Sequence, residues 1–279
     1  MITPTADRPR LVAEAHAAGR GLGAFNVVLL EHAEAIVAGA ERAELPVVLQ
    51  ISQNAARYHG SLEPIATACL ALAREAAVAV AVHLDHAEEV GLVHEAVALG
   101  VRSVMFDGSA LPYEENVAAT RDVVTHCHAR GTFVEAELGE VGGKDGVHAP
   151  GARTRPDEAA AFVAATGVDA LAVAVGTSHA MTSRVATVDR DLIARLAQAA
   201  GVPLVLHGSS GLSDDELAGA VAAGMTKINI STHLNGLFTA AAREVLDADR
   251  AVVDPRRYLT PARAAVAAEV ERLLRLLAG

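Results

Sequence analysis

Three histidines, His86, His179 and His207, each stand at or just past the end of a short apolar run, and Asp85 adjoins the first. The runs are Val78–Leu84, Ala170–Val175 and Leu204–Leu206. Three neutral imidazoles brought to one point would hold a divalent metal with an open coordination position, and a carboxylate beside them could move protons. Any one of these histidines alone also reads as a hydrogen-bonded structural residue. Their shared position sets them apart from the rest. His16, His32, His94, His126, His128 and His233 fall in or beside helical segments, and His59 and His148 fall in loops. His83 shares a strand face with Asp85 by the two-residue period and is expected in the core or supporting the site. Asp85 and His86 would point oppositely on a regular strand, so both can reach one site only if the strand ends between them and turns.

The elements that must position these residues are eight short runs rich in Val, Ile and Leu. They are Gly23–Val28, Val47–Ile51, Val78–Leu84, Ser103–Phe106, Thr132–Leu138, Ala170–Val175, Leu204–Leu206 and Lys227–Ile230. Several are apolar at consecutive positions, the pattern of parallel strands buried on both faces. Segments of helical period lie between them, among them Glu31–Ala43, Ser61–Ala76, Glu88–Leu99 and His233–Val245. Ser213 and Glu216 have capping-box spacing, and Gly100, Gly131, Gly167, Gly201 and Gly224 each stand just past a helix. Repeated helix–Gly–strand units imply right-handed crossovers between parallel strands. Eight units predict an α/β fold, a (β/α)8 barrel, with extra N- and C-terminal helices at Arg8–Ala18 and Pro261–Leu277. An open doubly wound sheet is the alternative. No linker-like stretch divides residues 1–279, so one domain is expected.

A barrel of this kind builds its active site from strand tips and the loops that follow them. The predicted tips carry Asn26, Ser52, Asp85 with His86, Asp107, Glu135 and Glu137, His179, His207, and Asn229 with Ser231. Two turns rich in glycine and hydroxyl groups follow strands 7 and 8, at His207–Gly211 (HGSSG) and Asn229–Thr232 (NIST). Loops in these two places bind phosphate through main-chain N–H groups and a helix N-terminus. The glycine-rich stretch Gly139–Arg155 reads as a mobile active-site loop. An imine mechanism would need a lysine inside the barrel. The chain has only Lys144, in that loop, and Lys227, at the start of strand 8 and so at the far end.

Composition narrows the partners. A net charge of -11 argues against nucleic acid. No long apolar run or signal-peptide pattern appears, so no membrane is expected. Cys69 and Cys127 lack metal-type spacing, and a reducing cytoplasm is the simplest setting.

The motifs Ala24–Asn26 (AFN), His83–His86 (HLDH), Ser103–Ser109 (SVMFDGS) and Val134–Gly139 (VEAELG) are followed by Ala172–His179 (AVAVGTSH), Pro203–Gly211 (PLVLHGSSG), Lys227–Asn229 (KIN) and Asp254–Leu259 (DPRRYL). In this order they resemble the class II, zinc-dependent fructose-bisphosphate aldolases, closest to the ketose-bisphosphate branch that includes tagatose-bisphosphate aldolase. The resemblance implies an aldehyde-lyase that cleaves fructose 1,6-bisphosphate or tagatose 1,6-bisphosphate to dihydroxyacetone phosphate and glyceraldehyde 3-phosphate. It implies zinc ligation by His86, His179 and His207, with Glu137 able to join the metal and Asp107 close by. Asp85 would handle the proton of the aldol hydroxyl. Gly208, Ser209, Ser210, Asn229, Ile230, Ser231 and Thr232, with Asn26 and Ser52, would hold the substrate. A monovalent cation near the phosphate and a homodimer or homotetramer are further implications. Ala180 stands where the family has Gly, and the loop Gly142–Gly146 (GGKDG) offers Asp145 where relatives carry Glu to move a proton at the carbanion carbon. Ser231 stands where the fructose enzymes tend to carry Asp and the tagatose enzymes Ala. Arg263 is the candidate for the far phosphate. Two other readings stay open. One is a metal-dependent hydrolase on the same barrel, though the usual His-x-His pair on strand 1 is missing. The other is action on a different phosphorylated ketose, or non-catalytic sugar-phosphate binding.

Overall fold

The computed structural model describes residues 10–138, 153–177 and 184–279. Eight parallel strands close a barrel, each pairing with the next and the last with the first. They are β1 Leu22–Asn26, β2 Val47–Ser52, β3 Val80–Ala87, β4 Ser103–Phe106, β5 Phe133–Leu138, β6 Ala170–Val173, β7 Leu204–Leu206 and β8 Met225–Ile230. The helices among the described residues are α1 Leu11–Ala17, α2 Leu30–Ala43, α3 Gln53–His59, α4 Glu63–Glu75, α5 Val90–Leu99, α6 Tyr113–His128, α7 Pro156–Thr166, α8 Arg190–Ala200, α9 Asp214–Ala223, α10 Thr232–Ala248 and α11 Pro255–Ala278. The closed barrel excludes the open doubly wound sheet. None of these helices is long and apolar enough to cross a membrane.

The consecutive apolar positions follow from a strand buried twice. Phe25, Leu49, Val82 and Leu84 point outward into the layer shared with the helices, whereas Ala24, Val48, Ala81 and Met105 point into the barrel. Leu11, Val12 and Ala15 of α1 pack into the same interior cluster. The N-terminal mouth is thus plugged by apolar side chains, and polar chemistry is left to the C-terminal mouth.

Helix boundaries differ from expectation in two informative places. The short α3 has no amphipathic repeat to betray it and is started by the Ser52 hydroxyl, which accepts from Ala55 N at 3.1 Å. The C-terminal helix begins at Pro255, not Pro261, because Asp254 caps it by accepting from Arg256 N at 3.0 Å. Ser213 does cap α9, accepting from Glu216 N at 3.3 Å. The Glu216 carboxylate turns instead to Val188 N and Arg190, so only half of the expected box forms.

Candidate active site

β3 does not end between Asp85 and His86. Its pairing with β4 runs through His83–Ser103 and Leu84–Val104, then resumes at Ala87–Phe106, which marks a bulge. His86 takes φ of +47° inside it, a left-handed conformation that costs of order 1 kcal/mol outside glycine. The bulge, not a strand end, turns both side chains to one side. Ligand atoms of Asp85, His86 and His207 then all lie within 4.8 Å of one another.

Carboxylates surround the two imidazoles. His86 Nδ1 lies 2.7 Å from Asp107 Oδ2 and 3.8 Å from Glu137 Oε2. His207 is fully buried, with Nδ1 3.3 Å from Glu137 Oε2 and Nε2 3.2 Å from Glu135 Oε1. The two rings stand edge to face at 4.5 Å. Burial alone would lower the His207 imidazole, yet Glu135 and Glu137 raise it to about 10. The cluster is therefore short of positive charge, which a divalent cation would supply in place of that proton. Imidazole nitrogens with carboxylate oxygens are a donor set that suits zinc. His86, His207 and Glu137 could hold the ion, with Asp107 against the outer nitrogen of His86. The third predicted ligand, His179, and the loop acid Asp145 lie outside the described residues, as do Ala180 and Lys144.

Asp85 is 2% exposed and gripped from both sides. Asn26 Nδ2 donates to its Oδ2 at 3.0 Å and Asn229 Nδ2 to its Oδ1 at 3.4 Å. Gln50 Nε2 donates to Asn26 Oδ1 at 3.2 Å, which fixes the Asn26 amide with its NH2 toward Asp85. Burial pushes the Asp85 carboxyl up, but the neighbouring His86, Lys227 and His207 hold it below the ordinary range. Sequence reasoning missed Gln50; it is the direct register partner of Asn26 on β2, and the pairing that shows this is not local.

Beside this cluster a cavity of about 170 Å³ opens at the C-terminal mouth. Asn26, Ser52, Gly208, Ser210, Asn229, Ser231 and Thr232 line it together with Asp85 and His86. The turn after β7 folds into a single 3-10 turn at Ser209–Gly211. The Ser210 hydroxyl accepts from Ser231 N and His233 N, both at 3.3 Å, at the start of α10. The turn is thereby held against the N-terminus of α10, the kind of helix end an anion binds. Two expected residues do not offer side chains. Ser209 is buried and donates its hydroxyl to Leu206 O at 3.1 Å. Ile230 points into the outer apolar layer, so only its main chain can serve the cavity. Ser52 lines the cavity, but its hydroxyl is engaged as the cap of α3. Arg263 pairs with Glu34 of the same chain at 3.0 Å.

Lys227 is not at the far end of the barrel. β8 begins two residues before it, and its side chain lies wholly inside, with Nζ 2.7 Å from Glu135 Oε2 and 3.2 Å from His83 Nε2. The barrel thus does contain a lysine, but one committed to a carboxylate. Burial would raise the Glu135 carboxyl, yet Lys227 and the His207 hydrogen bond hold it far below the usual carboxylate range. His83 is pushed down to about 3 by burial and by Lys227. It is a supporting core residue, as its strand face suggested.

Residues 7–279 match the sequence model of the family described as Fructose-bisphosphate aldolase class-II. The fructose-bisphosphate aldolase of Geobacillus stearothermophilus is 39% identical over 253 residues, spanning 89% of this chain and 88% of that protein. The fructose-bisphosphate aldolase of Thermus caldophilus is 38% identical over an alignment of 293 positions, spanning 95% of each. Among solved structures, the YdjI aldolase from Escherichia coli K12 superposes with a TM-score of 0.85 at 32% identity, covering 98% of this chain and 96% of that one.

Proposed function

The chain belongs to the class II fructose-bisphosphate aldolase family, and from that premise we propose that it is a zinc-dependent aldehyde-lyase. The reaction is reversible cleavage of a ketose bisphosphate, fructose 1,6-bisphosphate or tagatose 1,6-bisphosphate, to dihydroxyacetone phosphate and glyceraldehyde 3-phosphate. One observation carries this reading. Ligand atoms of Asp85, His86 and His207 lie within 4.8 Å of one another, and Asp85 and His86 line a cavity together with Gly208 and Ser210 of the hydroxyl-rich turn and Ser231 and Thr232 at the start of α10.

His86, His179 and His207 would hold the zinc, with Glu137 able to join them. When bound, the ion supplies Lewis-acid polarisation of the substrate carbonyl and its adjacent hydroxyl. Asp85 takes the proton from the aldol hydroxyl during cleavage and returns it during condensation. The Asn26 and Asn229 amides, each donating to one of its oxygens, keep it aimed, and the neighbouring His86, Lys227 and His207 favour its ionised form. Main-chain N–H groups of Gly208–Ser210 and Asn229–Thr232 receive the phosphate of the dihydroxyacetone half, with a monovalent cation beside it. Asp145 moves the proton at the carbanion carbon. Ser231 lines the cavity where the two sugar specificities diverge, so both sugars belong in the assay. Two unpaired cysteines fit a reducing cytoplasm, and the working unit is a homodimer or homotetramer.

The test is triose-phosphate release from both sugars, before chelation, after chelation and after zinc is returned. Activity should vanish and reappear. Inactivation by borohydride with substrate would point to an imine on Lys227 or Lys144 and sink the metal reading.

A further inference from the structure

Below the cluster of candidate ligands the barrel interior holds polar side chains that the proposed chemistry leaves without a task. His83, Ser103, Glu135 and Lys227 are all shut off from solvent. Removing a charge pair from water is costly, and barrels of this architecture fill their interiors with aliphatic side chains at no such cost. An ion pair here is therefore weak evidence for stability.

The contacts form one chain that ends on a candidate ligand. Ser103 Oγ lies 2.8 Å from His83 Nδ1, and His83 Nε2 lies 3.2 Å from Lys227 Nζ. Lys227 Nζ donates to Glu135 Oε2 at 2.7 Å, and Glu135 Oε1 lies 3.2 Å from His207 Nε2. A lysine ammonium only donates and a carboxylate only accepts. Glu135 therefore accepts from Lys227 through one oxygen and from His207 Nε2–H through the other. The imidazole proton is thereby placed on Nε2. Nδ1, 3.3 Å from Glu137 Oε2, is the nitrogen that would face an ion joined by Glu137. His86 shows the same device in reverse, with Nδ1 against Asp107.

We propose that Glu135, itself held by Lys227 and His83, is the positioning residue for His207, fixing its Nε2–H tautomer and presenting Nδ1 to the metal. This rests on the metal reading of the site given above. Such partners behind a metal-bound histidine are worth about 10–100-fold in metal affinity.

The experiment separates positioning from packing. Zinc affinity of the full chain is measured by competition with a chromophoric chelator, and folding by thermal unfolding of the zinc-free protein. The double variant Glu135→Leu/Lys227→Met removes both charges together and should stay folded, yet bind zinc about 10–100-fold more weakly. The double variant Glu135→Gln/Lys227→Met keeps an acceptor for His207 and should recover part of that loss. A folded Leu/Met variant with parental zinc affinity would overturn the proposal. Independently of any variant's folding, the zinc-loaded parent labelled with 15N-histidine should show His207 protonated at Nε2 and ligated at Nδ1; ligation through Nε2 would overturn it. If the parent bound no zinc, the metal reading itself would fall and the relay with it. If the parent bound zinc with indifference to Glu135, the relay alone would fall.

Discussion

Asp85 and His86, consecutive in the chain, face one cavity because His86 sits at φ of +47° on a bulge of β3. That places the carboxylate proposed to handle the proton beside a candidate metal ligand without crowding it out. Asp85→Asn should therefore lower kcat by about 10²–10⁴-fold, the usual worth of a positioned acid or base. Zinc content should stay near the parental level, because the isosteric amide leaves His86 and His207 in place. Steady-state kinetics with metal analysis checks both; parental kcat would move the acid–base role to another residue.

The barrel was legible because strands buried on both faces are apolar at consecutive positions, as several of the eight runs are, and eight runs alternating with helices leave few closed arrangements. The cavity residues were legible from place alone, as polar residues at the ends of those runs. What stayed hidden depends on register and on local backbone geometry. The bulge at His86 follows from how β3 meets β4, which no spacing within β3 reveals. Lys227 looks like a residue at the start of a strand when the run is bounded at Lys227–Ile230, whereas β8 begins at Met225. Pairing with Leu22 and Val205 carries Lys227 inside the barrel. Ile230 and Ser209 stand in the expected turns, but their side chains turn away from the cavity.

α11 packs closely on Gly39 of α2. A Cβ there would lie 2.6 Å from Ala267 O and 2.8 Å from Val270 Cβ. Gly39→Ala gains about 1 kcal/mol of helix propensity, but overpacking against a backbone oxygen costs about 1–3 kcal/mol. The expected outcome is a net destabilisation of up to about 2 kcal/mol, read by denaturant unfolding. A more stable variant would show that α11 can back away from α2.

Both thiols should be silent at neutral pH. Burial pushes Cys69 up to about 12, and burial with the neighbouring Asp169 pushes Cys127 to about 11 against the opposing pull of Arg130. Ellman's reagent at pH 8 should label neither in the native protein and both in guanidinium. The sign for stability follows. A folded pKa above the ordinary value of 9.0 contributes stability that is complete below pH 9 and is lost as pH rises through 11 to 12. Rapid native labelling at pH 8 would show that these helices open more readily than their packing implies.

The start of α10 is anchored by charge as well as by Ser210. His233 Nε2 lies 2.7 Å from Glu269 Oε1, Arg272 donates to both Glu269 oxygens, and Arg272 and Arg184 converge on Asp214. Burial would raise Glu269, but Arg272 and His233 hold it down to about 2. A depressed carboxyl contributes stability that is present above its ordinary value of 4.5 and is lost as pH falls toward 2. Glu269→Gln should therefore lower the melting temperature at pH 7 and narrow the gap to the parent as pH falls below 4. Because His233 N is one of the two groups on the Ser210 hydroxyl, the same variant should raise KM for the phosphorylated substrate more than it lowers kcat. A melting difference that stays constant from pH 7 to pH 3 would show that Glu269 contributes by packing and not by charge.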